Sequence, residues 1–243
     1  MKPRTILLLH GWIRAASAET YYAKTITAFE KKGYRVVAPD MPGFGASKNP
    51  DRPLTLYDYA LFVHEYLLKH RIQPDILIGH SFGGRVIIEY LTNFSFEGKC
   101  VVMTGTPGYP PVRKLKMVLS LVIAKAGNAI FSVPLLSKFR DAIRARFYYL
   151  VGARDYYRAS GAMRQTFKNI VQESLDKKMK RIHIPTLLLW GSEDVIVPVH
   201  IAHKMNQAIS PSTVVTISAY GHRVIVDAAE YFVEEVTKFI KTI

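Results

Sequence analysis

The chain has 243 residues, 49% apolar and 21% charged, which suits one sizeable α/β domain with its own core and excludes a disordered chain. Its formal charge of +14 is confined: residues 108–181 hold 16 Lys and Arg against 4 Asp and Glu, and the rest of the chain holds 17 against 15. A confined excess points to a face that meets something anionic rather than to a uniform solubility setting.

From the N-terminus, MKPRTILLLHGW is a strand followed by a turn. Its ILLL run is too short for a signal peptide, and no small-residue cleavage site follows. No later apolar run reaches the ~20 residues of a membrane span. The single cysteine, Cys100, excludes an intrachain disulfide and fits a reducing compartment, so a cytoplasmic protein is expected. Six strands are expected, over 5–9, 35–38, 75–78, 100–104, 186–190 and 213–218. Their unbroken apolarity, rather than alternation, means that both faces are covered, as in a parallel sheet between helix layers. The stretches between them carry helical spacing: Tyr22, Ile26 and Phe29 in one, and Tyr59, Phe62, Val63, Tyr66 and Leu67 in the next, where Asp58 is the expected cap.

The rhythm breaks between the fourth and fifth strands. Here about eighty residues show helical stripes (Leu115, Val118, Leu119, Val122; then Met163, Phe167, Ile170, Val171) and no strand signal. This is the basic stretch, read as a helical cap over 108–181 inserted into a core made of 1–107 and 182–243.

The residues that carry chemistry lie at strand ends. In LIGHSFGG, Ser81 follows an apolar run and precedes the helix-like RVIIEYLTN. A serine in a sharp strand-to-helix turn is held in strained backbone, with its hydroxyl lifted over the sheet edge. Gly79 and Gly83 spare the clash that side chains would cause where strand and helix pack closely. Upstream, His10-Gly11-Trp12 ends the first strand, and the backbone N–H groups of Trp12 and Phe82 are the candidate pair facing an oxyanion. Downstream, WGSEDVIVP brings Asp194 and AYGHRV brings His222. The chain order Ser, Asp, His fits a nucleophile, a carboxylate that orients the base, and the base.

Together HGW, APDMPGFGAS, GHSFGG, WGSEDVIVP and the late GH make the sequence resemble the α/β-hydrolase superfamily, in its small cap-bearing esterase-like branch. The resemblance covers the chain outside the insertion. It implies a serine hydrolase that cleaves small-molecule carboxylic esters through an acyl-enzyme, with no cofactor or metal. The family pattern G-x-x-D-x-x-x-P selects Asp194 over neighbouring Glu193. Typical members carry two further strands before the HG motif, which starts here at residue 10. A six-stranded sheet, all parallel, is therefore expected, flanked by helices.

Other residues admit plainer readings. His10 and His80 are structural neighbours of the site, and His80, Met163 and Phe167 are candidates to line its pocket, against core packing for the last two. Asp40 is read as a turn residue. His200 and His203 are spaced as metal ligands would be, but no third ligand accompanies them. The basic insertion is a solvated face, a lid toward anionic membrane, or a site for anionic substrates. Nucleic acid is not an expected partner, since no recognition motif is present. Two functions remain beside the esterase: a hydroxynitrile lyase-like or carbon–carbon-cleaving enzyme on the same triad, and a ligand-binding protein with negligible turnover.

Overall fold

The computed structural model describes residues 3–13, 16–110 and 161–243. In chain order the elements are β1 (Thr5–Leu9), α1 (Ala18–Tyr21), α2 (Ala23–Lys31), β2 (Arg35–Val37), α3 (Leu56–His70), β3 (Ile76–His80), α4 (Phe82–Asn93) and β4 (Cys100–Thr104). Then come α5 (Gly161–Gln172), α6 (Asp176–Met179), β5 (Thr186–Gly191), α7 (His200–Ala208), β6 (Ser212–Ile217), α8 (Val224–Asp227) and α9 (Ala229–Lys241). The first cap stripe, Leu115 to Val122, lies outside the described residues.

The six strands form one sheet in the order β2-β1-β3-β4-β5-β6, and every pairing is parallel. The apolar runs resolve into two cores by strand alternation. Leu7, Leu9, Leu77, Val101, Met103 and Leu188 face one side with Tyr59, Val63 and Val86 from α3 and α4. Ile6, Leu8, Ile76, Ile78, Val102 and Leu189 face the other with Phe29, Phe232 and Val236 from α2 and α9. This is the doubly wound α/β-hydrolase architecture that the sequence implies. Among the described residues no helix is long and apolar enough to cross a membrane.

Three local expectations change. β3 runs on to His80, because Gly79 and His80 pair with Met103 and Thr104 on β4. The cap of α3 is Thr55, whose hydroxyl accepts from the Asp58 N–H, while the Asp58 carboxylate reaches back to the Thr55 N–H at 2.7 Å. Asp58 is therefore the reciprocal partner of a capping box, and Arg52 holds its carboxyl down to about 2. Tyr22 ends one short helix and begins another instead of continuing a single stripe.

The end of the insertion is fastened to the core. The Leu175 N–H donates to the Gly108 carbonyl at 3.1 Å, and the Leu54 N–H donates to the hydroxyl of buried Thr166 on α5 at 2.8 Å. Arg85, 1% exposed on α4, donates to the carbonyls of Ile170 and Glu173, both at 2.6 Å, and to that of Pro107. Its guanidinium thus satisfies carbonyls at the C-terminal end of α5, where the helix dipole favours a cation. Burial pulls its pKa down to about 10. Beside it Lys178 bridges Glu89 and Glu173.

Candidate active site

All five inner loops of the site leave the same sheet edge, since His10, Ser81, Gly105, Ser192 and His222 follow the C-terminal ends of parallel strands. Open α/β sheets bind ligands at that edge. Ser81 joins β3 to α4 with φ 52° and ψ −110°, a backbone region that costs a non-glycine residue about 1–3 kcal/mol. Its N–H donates to the Thr104 carbonyl at 2.8 Å and its carbonyl accepts from the Gly84 N–H at 3.2 Å. The strain is sustained by the packing around it. A Cβ on Gly79 would lie 2.6 Å from the Gly84 backbone, and one on Gly83 would strike the Leu9 carbonyl. Gly84, which the sequence did not single out, lies against Thr106 in the same way.

The close approach at Gly83 draws the start of α4 against the end of β1. Phe82 and Trp12 therefore become neighbours, their rings edge to face at 5.5 Å. Phe82 is the first residue of α4, so its N–H has no partner within the helix. Trp12 also meets Phe44 and Phe167, each at 4.9 Å. Phe167 on α5 thereby packs on the aromatic wall beside the two oxyanion candidates. Met163, one helical turn before it, lies against Gly43 and 4.0 Å from the Tyr59 hydroxyl.

Asp194 and His222 meet on the opposite side. The Asp194 Oδ2 lies 2.8 Å from the His222 Nδ1, and the acid side chain is 1% exposed against 14% for the imidazole. The other carboxylate oxygen accepts the N–H groups of Ile196 and Val197 at 2.9 and 2.8 Å. Glu193, by contrast, is exposed. The acid loop is braced beneath by Trp190, whose indole N–H donates to the Val197 carbonyl at 2.8 Å. It is tied to the histidine loop where the Glu193 N–H donates to the Tyr220 carbonyl and the Ala219 N–H to the Ser192 hydroxyl. Gly105, at φ 56°, closes the gap to the serine: a Cβ there would stand 2.8 Å from the His222 ring, and the residue before it, Thr104, accepts the Ser81 N–H.

Two further histidines near the site, His10 and His80, are held by the protein. His10 donates from Nδ1 to the Gly11 carbonyl at 2.7 Å and accepts the Met41 N–H at Nε2. Burial lowers its pKa to about 4. His80, 3% exposed behind the elbow, engages both ring nitrogens, Nδ1 with the Tyr22 hydroxyl at 2.7 Å and Nε2 with the His222 carbonyl at 3.0 Å. Burial, then the nearby His222, His10 and Arg223, lower its pKa to about 3. Asp40 braces its turn, accepting the N–H groups of Ala18 and Ala46. His200 and His203 are exposed on α7, and among the described residues no three His, Cys, Asp or Glu side chains cluster as a metal site would require. Tyr22, Gly105 and Arg85 carry no signal in the sequence, because their partners lie far along the chain.

Comparison with known proteins agrees with the fold. The model of the alpha/beta hydrolase family matches residues 6–235. The monoacylglycerol lipase ABHD6 of Mus musculus is 25% identical, over 98% of this chain and 76% of its own. Among solved structures, an esterase from Exiguobacterium antarcticum superimposes with a TM-score of 0.74 at 20% identity, covering 99% of this chain and 92% of that one. A meta-cleavage product hydrolase from Pseudomonas fluorescens IP01 gives 0.72 at 20% identity, with 99% and 92% covered.

Proposed function

The chain belongs to the alpha/beta hydrolase family, and on that premise we propose that it hydrolyses carboxylic esters through Ser81, His222 and Asp194. The Ser81 hydroxyl attacks the ester carbonyl, and its proton passes to His222 Nε2. Asp194 supports this role by accepting a hydrogen bond from the Nδ1–H, which leaves Nε2 as the free base, and by facing the imidazolium once it forms. The tetrahedral oxyanion is received by the N–H groups of Trp12 and Phe82, a pair worth a few kcal/mol in sites of this kind. The alcohol then leaves with the proton from His222, and water hydrolyses the acyl-enzyme by the same route. Helix α5, between β4 and β5, contributes Phe167 and Met163 to the pocket wall.

The observation that carries the reading is the strained backbone of Ser81, at φ 52°, on the sheet edge that also carries the His222–Asp194 pair. Nothing in the packing of a plain turn requires a serine in that conformation. The likeness to a monoacylglycerol lipase and an esterase supports an ester substrate. The test is the initial rate on p-nitrophenyl esters of increasing chain length, wild type beside Ser81→Ala. Turnover confined to the wild type is expected, and its chain-length optimum sizes the pocket. Equal turnover by both proteins would refute the assignment of the nucleophile.

A further inference from the structure

Tyr22 is buried, with no exposed surface, at the break between α1 and α2. Its hydroxyl oxygen lies 3.1 Å from the Gly11 N–H and 2.7 Å from His80 Nδ1. The other nitrogen of His80 lies 3.0 Å from the backbone carbonyl of His222. The direction of each bond is fixed by what the end groups can do. The carbonyl of His222 only accepts, so His80 carries its proton on Nε2. A neutral imidazole then offers a lone pair at Nδ1, so Tyr22 donates there. The Gly11 N–H only donates, so Tyr22 accepts from it.

We propose that Tyr22 is a positioning residue of the hydrolytic site. Through these three bonds it ties the loop that presents the Trp12 N–H to the loop that carries His222, fixing the separation of oxyanion donor and base. The inference rests on the triad reading above.

Two features give the tie its importance. Gly11 immediately precedes Trp12, and a Cβ on it would lie 3.0 Å from His80 and 3.4 Å from the Ser81 Cβ. Oxyanion loop, His80 and nucleophile are thus in contact, and a shift in one is felt by the others. His222, by contrast, follows β6, the edge strand, whose residues are exposed or only half-buried. Loops at such an edge open at the lowest cost, and a bond from the buried centre to the His222 backbone opposes that drift. His80 holds one tautomer because burial keeps it neutral, and the charges of His222, His10 and Arg223 act in the same sense, against the opposing pull of the His222 carbonyl. A packing role for the Tyr22 ring is distinct from this one: the ring lies edge-on to His80 at 5.9 Å and to Tyr21 at 4.8 Å, and Phe would preserve both contacts.

The experiment measures two quantities in the wild type, Tyr22→Phe and Ser81→Ala: the rate at which a fluorophosphonate labels Ser81, followed by mass spectrometry, and the His80 tautomer by 15N NMR. In the labelling step the serine oxygen bonds to phosphorus, fluoride leaves, and the serine proton goes to His222. Labelling therefore needs the site but no knowledge of the natural ester. The wild type is expected to label and to show His80 protonated at Nε2, and Ser81→Ala to take no label. Tyr22→Phe is expected to label about tenfold more slowly, as for a reacting group misplaced by a fraction of an ångström, with His80 redistributed between tautomers. Wild-type labelling rates in Tyr22→Phe, or an unchanged His80 tautomer in it, would overturn the proposal. So would a wild-type His80 protonated at Nδ1, a result that needs no variant. A wild type that takes no label would refute the triad itself, and the positioning role with it.

Discussion

Lowering the pH from about 7 to about 5 should cost this protein on the order of 4 kcal/mol of stability through two histidines alone. Burial lowers His10 from the ordinary 6.5 to about 4 and His80 to about 3. Each binds a proton more readily when unfolded, so stability rises with pH between the two values of each group and is lost as pH falls below about 6.5. At about pH 5 the unfolded chain has gained about 2 kcal/mol per histidine, at about 1.4 kcal/mol for each pH unit below 6.5. The folded forms have gained almost nothing by then. Against a typical total of about 5–15 kcal/mol, the loss is large. The assay is urea unfolding at both pH values, in the wild type and in His10→Gln. The variant removes one of the two groups, so its loss between the two pH values should be smaller by about 2 kcal/mol. An equal loss in the two proteins would refute the reasoning, since it would mean that His10 either titrates normally in the fold or is not buried as a neutral ring.

Two further outcomes follow from the packing. Arg85→Met should destabilise by about 3 kcal/mol or more, because it leaves the carbonyls of Pro107, Ile170 and Glu173 without their shared donor. Arg85→Lys should recover little of this, since one ammonium does not reproduce the planar fork; denaturant unfolding of both variants decides it. Gly105→Ala should lower kcat on p-nitrophenyl esters by about a hundredfold, as its Cβ pushes on the His222 ring at 2.8 Å. The unfolding midpoint should move far less, and a variant with wild-type kcat would show that the ring has room to yield.

The fold was legible because its signals are local. The four inner runs, β1, β3, β4 and β5, are buried on both faces, so these strands stand out without knowledge of their partners, and the glycines flanking Ser81 follow from one strand-to-helix turn. Boundaries shifted where a neighbour decided them: β3 reaches His80 only because β4 pairs with it, and Thr55 rather than Asp58 leads the capping box because the helix starts three residues earlier, at Leu56. In the site, the residue types and their order along the chain are local facts too, and they suffice to propose Ser81, Asp194 and His222.

What the sequence by itself determined is therefore the alternation of strands and helices, the elbow, and which side chains stand at the ends of the strands. What only the tertiary structure decided is how those ends are joined. Tyr22 reaches His80 across 58 positions and His80 reaches the His222 carbonyl across 142, while Arg85 clasps carbonyls more than eighty positions away. A periodic pattern cannot mark such residues, because a buried Tyr or Arg on an apolar stripe looks the same whether its polar atom meets water or a partner. Burial makes the difference: once water is excluded, a donor left without an acceptor is costly, and for Tyr22, His80 and the two terminal nitrogens of Arg85 only the folded chain supplies the partner.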